Sequence, residues 1–207
     1  MNTRDSYNSW SETYDSDDNP TRDLDAIATE NALKDLSFDS ILEIGCGTGK
    51  NTRLLSKIGN SVHAIDSSPG MIAQAKSRVT AKNVTFAIAN LAQTWHLKNQ
   101  SFDLIASSLV LEHIEKLGFI FQEAARILKS SGKFYISELH PFRQYLGKKA
   151  KFRQEGEVIE VQAFVHHISD FLSAASEHGL SLLELKEWWH DMDHNKPPRL
   201  ITFLFEK

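Results

Sequence analysis

The chain has 207 residues, 24% of them charged and 41% hydrophobic, with a formal net charge of −4. That length supports one domain with a full core, and the slight acidity removes any electrostatic argument for a nucleic-acid or anionic-membrane partner. No apolar run approaches a bilayer span, residues 1–10 lack an apolar signal core, and the single cysteine, Cys46, has no internal partner; a reducing, cytoplasmic setting away from membranes is expected. Near the N-terminus, Tyr7, Trp10 and Tyr14 are spaced three and four apart, which puts them on one helical face, and the acidic run over 15–20 ends that helix. Two readings of this arm stand: aromatics packed on the domain surface, or a lid over a ligand pocket. Thr21 is the expected N-cap of the next helix, over 22–36, with Leu24, Ile27, Ala28 and Leu33 turned inward.

Residues 41–52, ILEIGCGTGKNT, combine a short apolar strand with Gly45, Gly47 and Gly49 and a helix expected from Lys50 to residue 58. Glycines at alternate positions allow tight turns at positive φ and close approach of backbone to ligand. A helix that follows them offers free N–H groups to whatever lies over the loop. The dinucleotide fingerprint is G-x-G-x-x-G; here the third glycine arrives one residue early, and Lys50 stands where the dinucleotide glycine belongs. Glu43, two residues before the first glycine, suits a ligand carrying an ammonium or hydroxyls better than a pyrophosphate, because like charges repel.

The stretch resembles the first motif, (D/E)-x-G-x-G-x-G, of the class I S-adenosylmethionine-dependent methyltransferases, in particular the small-molecule group of methyltransferase type 11. The resemblance implies that Glu43 and the backbone of Gly45, Cys46, Gly47 and Gly49 hold the methionine end of S-adenosylmethionine. It also makes Tyr14, in the pair Tyr14-Asp15, part of a lid.

The next strand, over 61–65, ends at Asp66, about twenty residues past the first glycine, where open α/β sheets place a carboxylate for ribose hydroxyls. A helix N-cap before Pro69 is the rival reading, and the motif upstream favours ribose. The resemblance extends to a D-x-S-x-x-M-(I/L) run and assigns Asp66 and Ser67 to the cofactor. It sets Met71 near the adenine, with a core methionine as the equal alternative. A third strand over 83–89 leads to Asn90 and Leu91, implied to meet the adenine, although Asn90 stands where an aspartate is commoner. Trp95 reads as packing.

The fourth strand, over 101–108, carries the pattern S-F-D-L-I-x-S-x-x-x-L-E-H, a further family match. It implies that Ser107 to Leu109 lie beside the sulfonium and methyl group, and that His113, on the following helix, is structural. A helix over 118–128 and a turn over 129–132 precede a fifth strand, 133–137. Beyond it His140 is the histidine to test first as a general base, since imidazole titrates near working pH; a histidine fixed by hydrogen bonds before a turn is the rival reading.

Arg143, Lys148, Lys149, Lys151 and Arg153 form a basic stretch without acids, read as a solvated loop or as an anion-recognising substrate loop. Residues 157–164 alternate like an exposed strand. His166 and His167 have no partner at zinc-like spacing, so no metal site is expected, and one of them is a candidate for the substrate cleft. A helix over 171–178, Gly179, and strands over 180–189 and 200–205 complete the chain as an antiparallel edge hairpin.

The expected architecture is a doubly wound α/β domain with a mostly parallel seven-stranded sheet, an antiparallel edge strand and helices on both faces. Within one domain over 1–207, residues 1–36 form a helical cap, 40–140 the cofactor core, 141–168 a substrate-side insertion, and 169–207 the closing helix and hairpin. The implied reaction is in-line displacement of the methyl by a small-molecule acceptor, with S-adenosylhomocysteine as product and a monomer or homodimer as the unit. A non-catalytic adenosyl-binding protein and an NAD-type oxidoreductase are the alternatives; glycine spacing and the serine-rich fourth strand count against the latter.

Overall fold

The computed structural model describes residues 2–154 and 156–207; Met1, the first residue of the expected cap, lies outside them. The fold is organised on β1 (Phe38–Ile44), whose last four residues are all buried. It lies between β2 (Gly59–Asp66) and β4 (Phe102–Ser108), parallel to both. A central parallel strand is covered on both faces, which is why ILEI reads as a continuous apolar run broken only by Glu43.

Alternation along the strands sorts the core into two layers. Leu42, Ile44, Ile105, Phe134 and Ile136 face α5 (Leu117–Ile127) and α7 (Ile168–Glu177), where Phe121 meets Phe134 edge-on at 5.4 Å. Ile41, Leu104 and Tyr135 face α2 (Pro20–Leu33) and α3 (Thr52–Ile58), through Leu33 and Leu55. Burying each such side chain contributes roughly 1.5–3 kcal/mol.

The sheet order is β3-β2-β1-β4-β5-β9-β8, with β3 at Val84–Ile88, β5 at Leu128–Leu139, β8 at Ser181–Trp188 and β9 at Leu200–Glu206. β1 to β5 are parallel, and β9 runs antiparallel between β5 and β8. The chain thus winds outward in one direction through β2 and β3 and in the other through β4 and β5. The order reverses between β1 and β4, where a doubly wound sheet opens a crevice at its carboxyl edge.

Local chemistry moves several expected boundaries. α2 starts at Pro20, because Asn19 is its N-cap: its side-chain oxygen accepts from the backbone N–H of Thr21 at 3.0 Å and of Arg22 at 3.2 Å. Thr21 is therefore inside the helix, and Ile27, expected inward, is 51% exposed while Asp25 and Thr29 are buried instead. α3 starts at Thr52, and Lys50 reaches back to the Asp23 carboxylate at 3.0 Å. α4 (Pro69–Arg78) is capped by Ser68, whose hydroxyl accepts from the Met71 N–H at 3.2 Å.

Two additions sit over the carboxyl edge. α1 (Thr3–Trp10) lies against α4, with the Asn8 side-chain oxygen accepting from the Gly70 N–H at 2.8 Å. After α6 (Pro141–Tyr145), a hairpin of β6 (Lys151–Gln154) and β7 (Glu157–Glu160) occupies what reads in sequence as a basic loop and one long strand. Trp10 stacks on Phe152 of that hairpin at 5.1 Å, so the arm's aromatic face is packed and the arm also spans the crevice. The basic stretch divides: Arg143 is buried against Asp193 at 2.9 Å, whereas Lys148, Lys149, Lys151 and Arg153 are exposed.

Candidate active site

The glycine loop is held at the crevice by its own backbone. The Gly45 and Cys46 N–H groups both donate to the Ile65 carbonyl, at 2.8 and 3.0 Å, and Gly49 N–H donates to the Cys46 carbonyl at 2.9 Å. The three glycines have positive φ but different reasons to lack a side chain. A Cβ on Gly45 would meet a Val110 methyl at 2.1 Å, and one on Gly49 a Val79 methyl at 2.8 Å. A Cβ on Gly47 would meet no protein atom within 4 Å. Gly45 and Gly49 thus allow close packing, and Gly47 alone leaves space for something that is not protein.

That space belongs to a cavity of about 570 Å³, within the range typical of small-molecule sites. Asp66 stands on its floor at the end of β2. Its carboxylate accepts from the Gly47 N–H at 3.0 Å and from the Ser68 N–H at 2.8 Å, which ties the loop after β1 to the start of α4. Burial raises its pKa, and backbone N–H groups oppose that rise. Ser67 and Met71 line the cavity beside it, as do Gly45 and, from the arm, Tyr14. Past the end of β3, Ile88, Asn90 and Leu91 form the next wall. The Asn90 side-chain oxygen accepts from Ala92 N–H at 3.0 Å, which leaves its amide hydrogens to donate into the cavity. Leu109 lines the side below β4; it turns the chain at φ 57° and its N–H donates to the Ser137 carbonyl at 2.8 Å.

Five residues expected at the ligand are placed elsewhere. Glu43 is buried on the α2 side of β1, where the Thr52 hydroxyl donates to it; burial pushes its pKa up to about 8, so it is a neutral strut beneath the loop rather than a charged ligand group. Cys46 and Gly49 do not line the cavity, and their backbone N–H groups are spent on the Ile65 and Cys46 carbonyls. Ser107 fails by strand alternation: its buried hydroxyl points away from the cavity, while its neighbour Ser108 lines it. His140 is fully buried, caps α6 by accepting from Phe142 N–H at 3.2 Å, and donates from Nε2 to Glu187 at 3.0 Å. The base assignment for His140 is corrected accordingly: both ring nitrogens are used and neither faces the cavity. His166 and His167 do not face it either; they bond the Ile114 carbonyl and the Tyr145 hydroxyl.

The structure instead brings Tyr7 and His113 to the cavity wall. His113 closes a short 3₁₀ turn (Leu111–His113) rather than sitting on a regular helix, and the turn is held by Glu138, whose carboxyl accepts from the Val110 and Leu111 N–H groups at 2.9 and 2.7 Å. His113 Nδ1 is 2.7 Å from the Gln162 carbonyl, which can only accept, so Nδ1 carries the proton. Nε2 is then the acceptor, and the Tyr7 hydroxyl donates to it at 2.8 Å. Tyr7 was legible only as part of an aromatic stripe. Gln162 carried no signal at all, since a backbone carbonyl on an extended segment has no side-chain signature. Among the described residues, no group of acids, histidines and cysteines is arranged to hold a metal ion.

The arm is fastened over this cavity by charge as well as packing. The Arg22 guanidinium lies 4.2 Å from the Tyr14 ring centroid, and Asp15 pairs with Arg78 and accepts from the Thr48 hydroxyl at 3.1 Å. Arg78 comes from α4 and Thr48 from the glycine loop, so the arm is bonded to both elements that border Asp66. A ligand over Gly47 and Asp66 would lie beneath it.

These residues fit an adenosyl cofactor. Gly47 leaves room for backbone contact, Asp66 supplies a carboxylate on the cavity wall, and Ile88, Leu91 and Met71 offer apolar surface to a flat base. Residues 42–136 match the family described as a methyltransferase domain. Over 228 aligned residues the chain is 24% identical to an uncharacterized methyltransferase of Emericella nidulans, covering 89% of this chain and 78% of that protein. It is 32% identical over 107 residues to a demethylmenaquinone methyltransferase of Tropheryma whipplei, covering 51% of this chain but 44% of that protein, so the chain spans under half the length of that relative. Its fold is similar to the N-methyltransferase NodS of Bradyrhizobium japonicum in complex with S-adenosyl-L-homocysteine, with a TM-score of 0.76 at 18% identity over 100% of this chain and 99% of the other. The match to the methyltransferase-domain family over 42–136, with the strand order, the glycine loop and the cavity, is consistent with a class I S-adenosylmethionine-dependent methyltransferase of the methyltransferase type 11 group.

Proposed function

We propose that this chain transfers the methyl group of S-adenosylmethionine to a small-molecule acceptor bound between α1 and the Leu111–His113 turn. The observation that carries this reading is the continuity of one cavity, from Gly47 and Asp66 at the cofactor end to Tyr7, His113 and Gln162 at the other. An aromatic arm covers it, which leaves room for a metabolite and little for a polymer. The demethylmenaquinone methyltransferase among the similar proteins is named for a small acceptor, which supports the same class.

The cofactor supplies a methyl group on a sulfonium, reactive without further activation. The protein's work is placement. Asp66 holds the ribose hydroxyls, Asn90 and Leu91 meet the adenine, and the backbone of Gly45 and Gly47 approaches the methionine end. Leu109, turned at positive φ, sets the cavity wall where the acceptor nucleophile must line up with the methyl. Orientation of this kind lowers a bimolecular barrier by roughly 7–11 kcal/mol. The covering arm excludes water from the reacting centre.

Titration calorimetry with S-adenosylmethionine and with NADH, followed by transfer of labelled methyl into a metabolite panel, tests the reading. Expected are binding of S-adenosylmethionine alone and label on a small acceptor. NADH binding without S-adenosylmethionine binding would favour an oxidoreductase, and cofactor binding with no transfer a non-catalytic sensor.

A further inference from the structure

We propose that Tyr7 is a catalytic residue that accepts the proton of a hydroxyl-bearing acceptor while passing its own proton to Nε2 of His113, which makes the acceptor an alcohol or a phenol. The proposal rests on the methyl-transfer reading above and deepens it.

Only titratable groups on the cavity wall can take the acceptor's proton. Among the described residues they are Arg4, Tyr7, Tyr14, Asp66 and His113. Arg4 is a cation. The Asp66 carboxylate already accepts from two backbone N–H groups at the far end of the cavity, and the Tyr14 ring lies under the Arg22 guanidinium. His113 remains, but its Nε2 is screened from the cavity by the Tyr7 hydroxyl that donates to it. A proton therefore reaches the imidazole through Tyr7.

The pair is arranged for that transfer in one direction. With Nδ1–H held on the Gln162 carbonyl at 2.7 Å, His113 Nε2 has a free lone pair, and the tyrosine hydroxyl oxygen keeps a lone pair for the acceptor's O–H. As the acceptor oxygen forms its bond to the methyl carbon, the sulfur–methyl bond breaks and its electrons stay on the sulfur as a neutral thioether. The acceptor's proton moves to the Tyr7 oxygen and the Tyr7 proton moves to His113 Nε2. The product is a methyl ether, a neutral tyrosine and an imidazolium. Positive charge lost from the sulfonium reappears on the imidazolium, where Glu112 Oε1 lies 3.7 Å from Nε2. Burial holds the Tyr7 phenol well above its ordinary value, so the phenol cannot keep the negative charge itself and the imidazole is its outlet.

The groups facing the pair are Tyr14 from the arm and Glu112 from the 3₁₀ turn, with Asp66 at the end of β2 and Glu138 at the end of β5 beyond them. Burial keeps Glu138, pushed up to about 8, and the Tyr14 phenol, pushed up to about 12, in their neutral forms, so Glu112 is the neighbouring acid that balances the imidazolium once it forms.

Phenol, catechol and benzyl alcohol serve as hydroxyl probes and thiophenol as a thiol probe, with S-adenosylmethionine saturating. Tyr7→Phe keeps the ring against Trp10 and Tyr14, and His113→Asn keeps a donor toward the Gln162 carbonyl while removing Nε2. Both should lower kcat on the hydroxyl probes by about 10²–10⁴-fold with KM for the acceptor and cofactor affinity intact. Nitrogen-15 NMR of the intact protein should show His113 as the Nδ1–H tautomer. Rates within about threefold of wild type, an Nε2–H tautomer, or cofactor binding with methylation of no hydroxyl probe would each overturn the relay. Absence of S-adenosylmethionine binding by the wild type would overturn the methyl-transfer reading beneath it, a separate result.

Discussion

Replacing Glu43 with glutamine should make the protein less sensitive to high pH, and the size of the effect follows from where Glu43 sits. The carboxyl is 5% exposed, its oxygen accepts from the Thr52 hydroxyl, and among the described residues no cation pairs with it. Burial, with Asp25 and Asp66 adding like charge, pushes its pKa from the ordinary 4.5 up to about 8. Between those two values the folded chain holds a proton that the unfolded chain has released. Stability from this group is therefore fully present below 4.5 and is lost as pH rises through about 8. The interval corresponds to a ceiling of about 5 kcal/mol, a large fraction of the whole stability of a typical domain.

Glutamine has the shape of the neutral acid and offers the same acceptor to Thr52. Urea unfolding of wild type and Glu43→Gln at about pH 4 and about pH 9, followed by circular dichroism, should give similar stabilities at about pH 4 and a more stable variant at about pH 9. Wild type keeps the same sign of slope from Glu138, also pushed up to about 8 by burial, and from Asp25 and Glu112, raised by burial as well. The test is thus the difference between the two proteins. Parallel pH profiles would refute the neutral strut and return Glu43 to the list of charged ligand groups.

Other outcomes probe the cavity and its frame. Asp66→Ala should cost about 2–5 kcal/mol of S-adenosylmethionine binding, the worth of one to two hydrogen bonds to a charged group, measured by calorimetry with the fold checked by circular dichroism; undiminished binding would remove the ribose assignment. Gly47→Val should block the cofactor by filling the space over the loop, and a variant that binds as wild type would refute the cradle; some loss of stability is expected from its φ of 52°. Asp193→Asn should destabilise the fold by about 3–5 kcal/mol, because it leaves buried Arg143 without its counter-charge. Arg199 and Arg143 hold the Asp193 carboxyl down to about 2, so its contribution is present above 3.8 and lost as pH falls through about 2, which acid unfolding of wild type and variant will show as a difference in slope.

Much of the framework was legible in the residues themselves. A strand followed by G-x-G-x-G, an acid at the end of the next strand and an edge hairpin after Gly179 are local signals, each written in a few consecutive residues. They place β1, β2, β8 and β9, and with them Gly47 and Asp66 at the crevice. Where the reading slipped, the deciding interaction was distant in sequence. His140 and His113 look alike as histidines beyond strand ends. Glu187, 47 residues on, claims one, and Tyr7, 106 residues back, meets the other. Ser107 and Ser108 differ by one step along β4, and only the register against β5 decides which faces the cavity. Glu43 reads as a ligand acid from its place before the glycines, but the hydroxyl of Thr52 and the depth of β1 make it a buried neutral group.

The sequence by itself therefore determined the sheet, the loop and the class of ligand they serve, because strand periodicity and glycine spacing act over a few residues. Tertiary structure alone decided which side chains meet over that loop. The Tyr7–His113 pair depends on the arm crossing the crevice to reach the Leu111–His113 turn, and on a carbonyl from residue 162 choosing the imidazole's proton. Such contacts are set by how the elements pack, and no spacing along the chain encodes them.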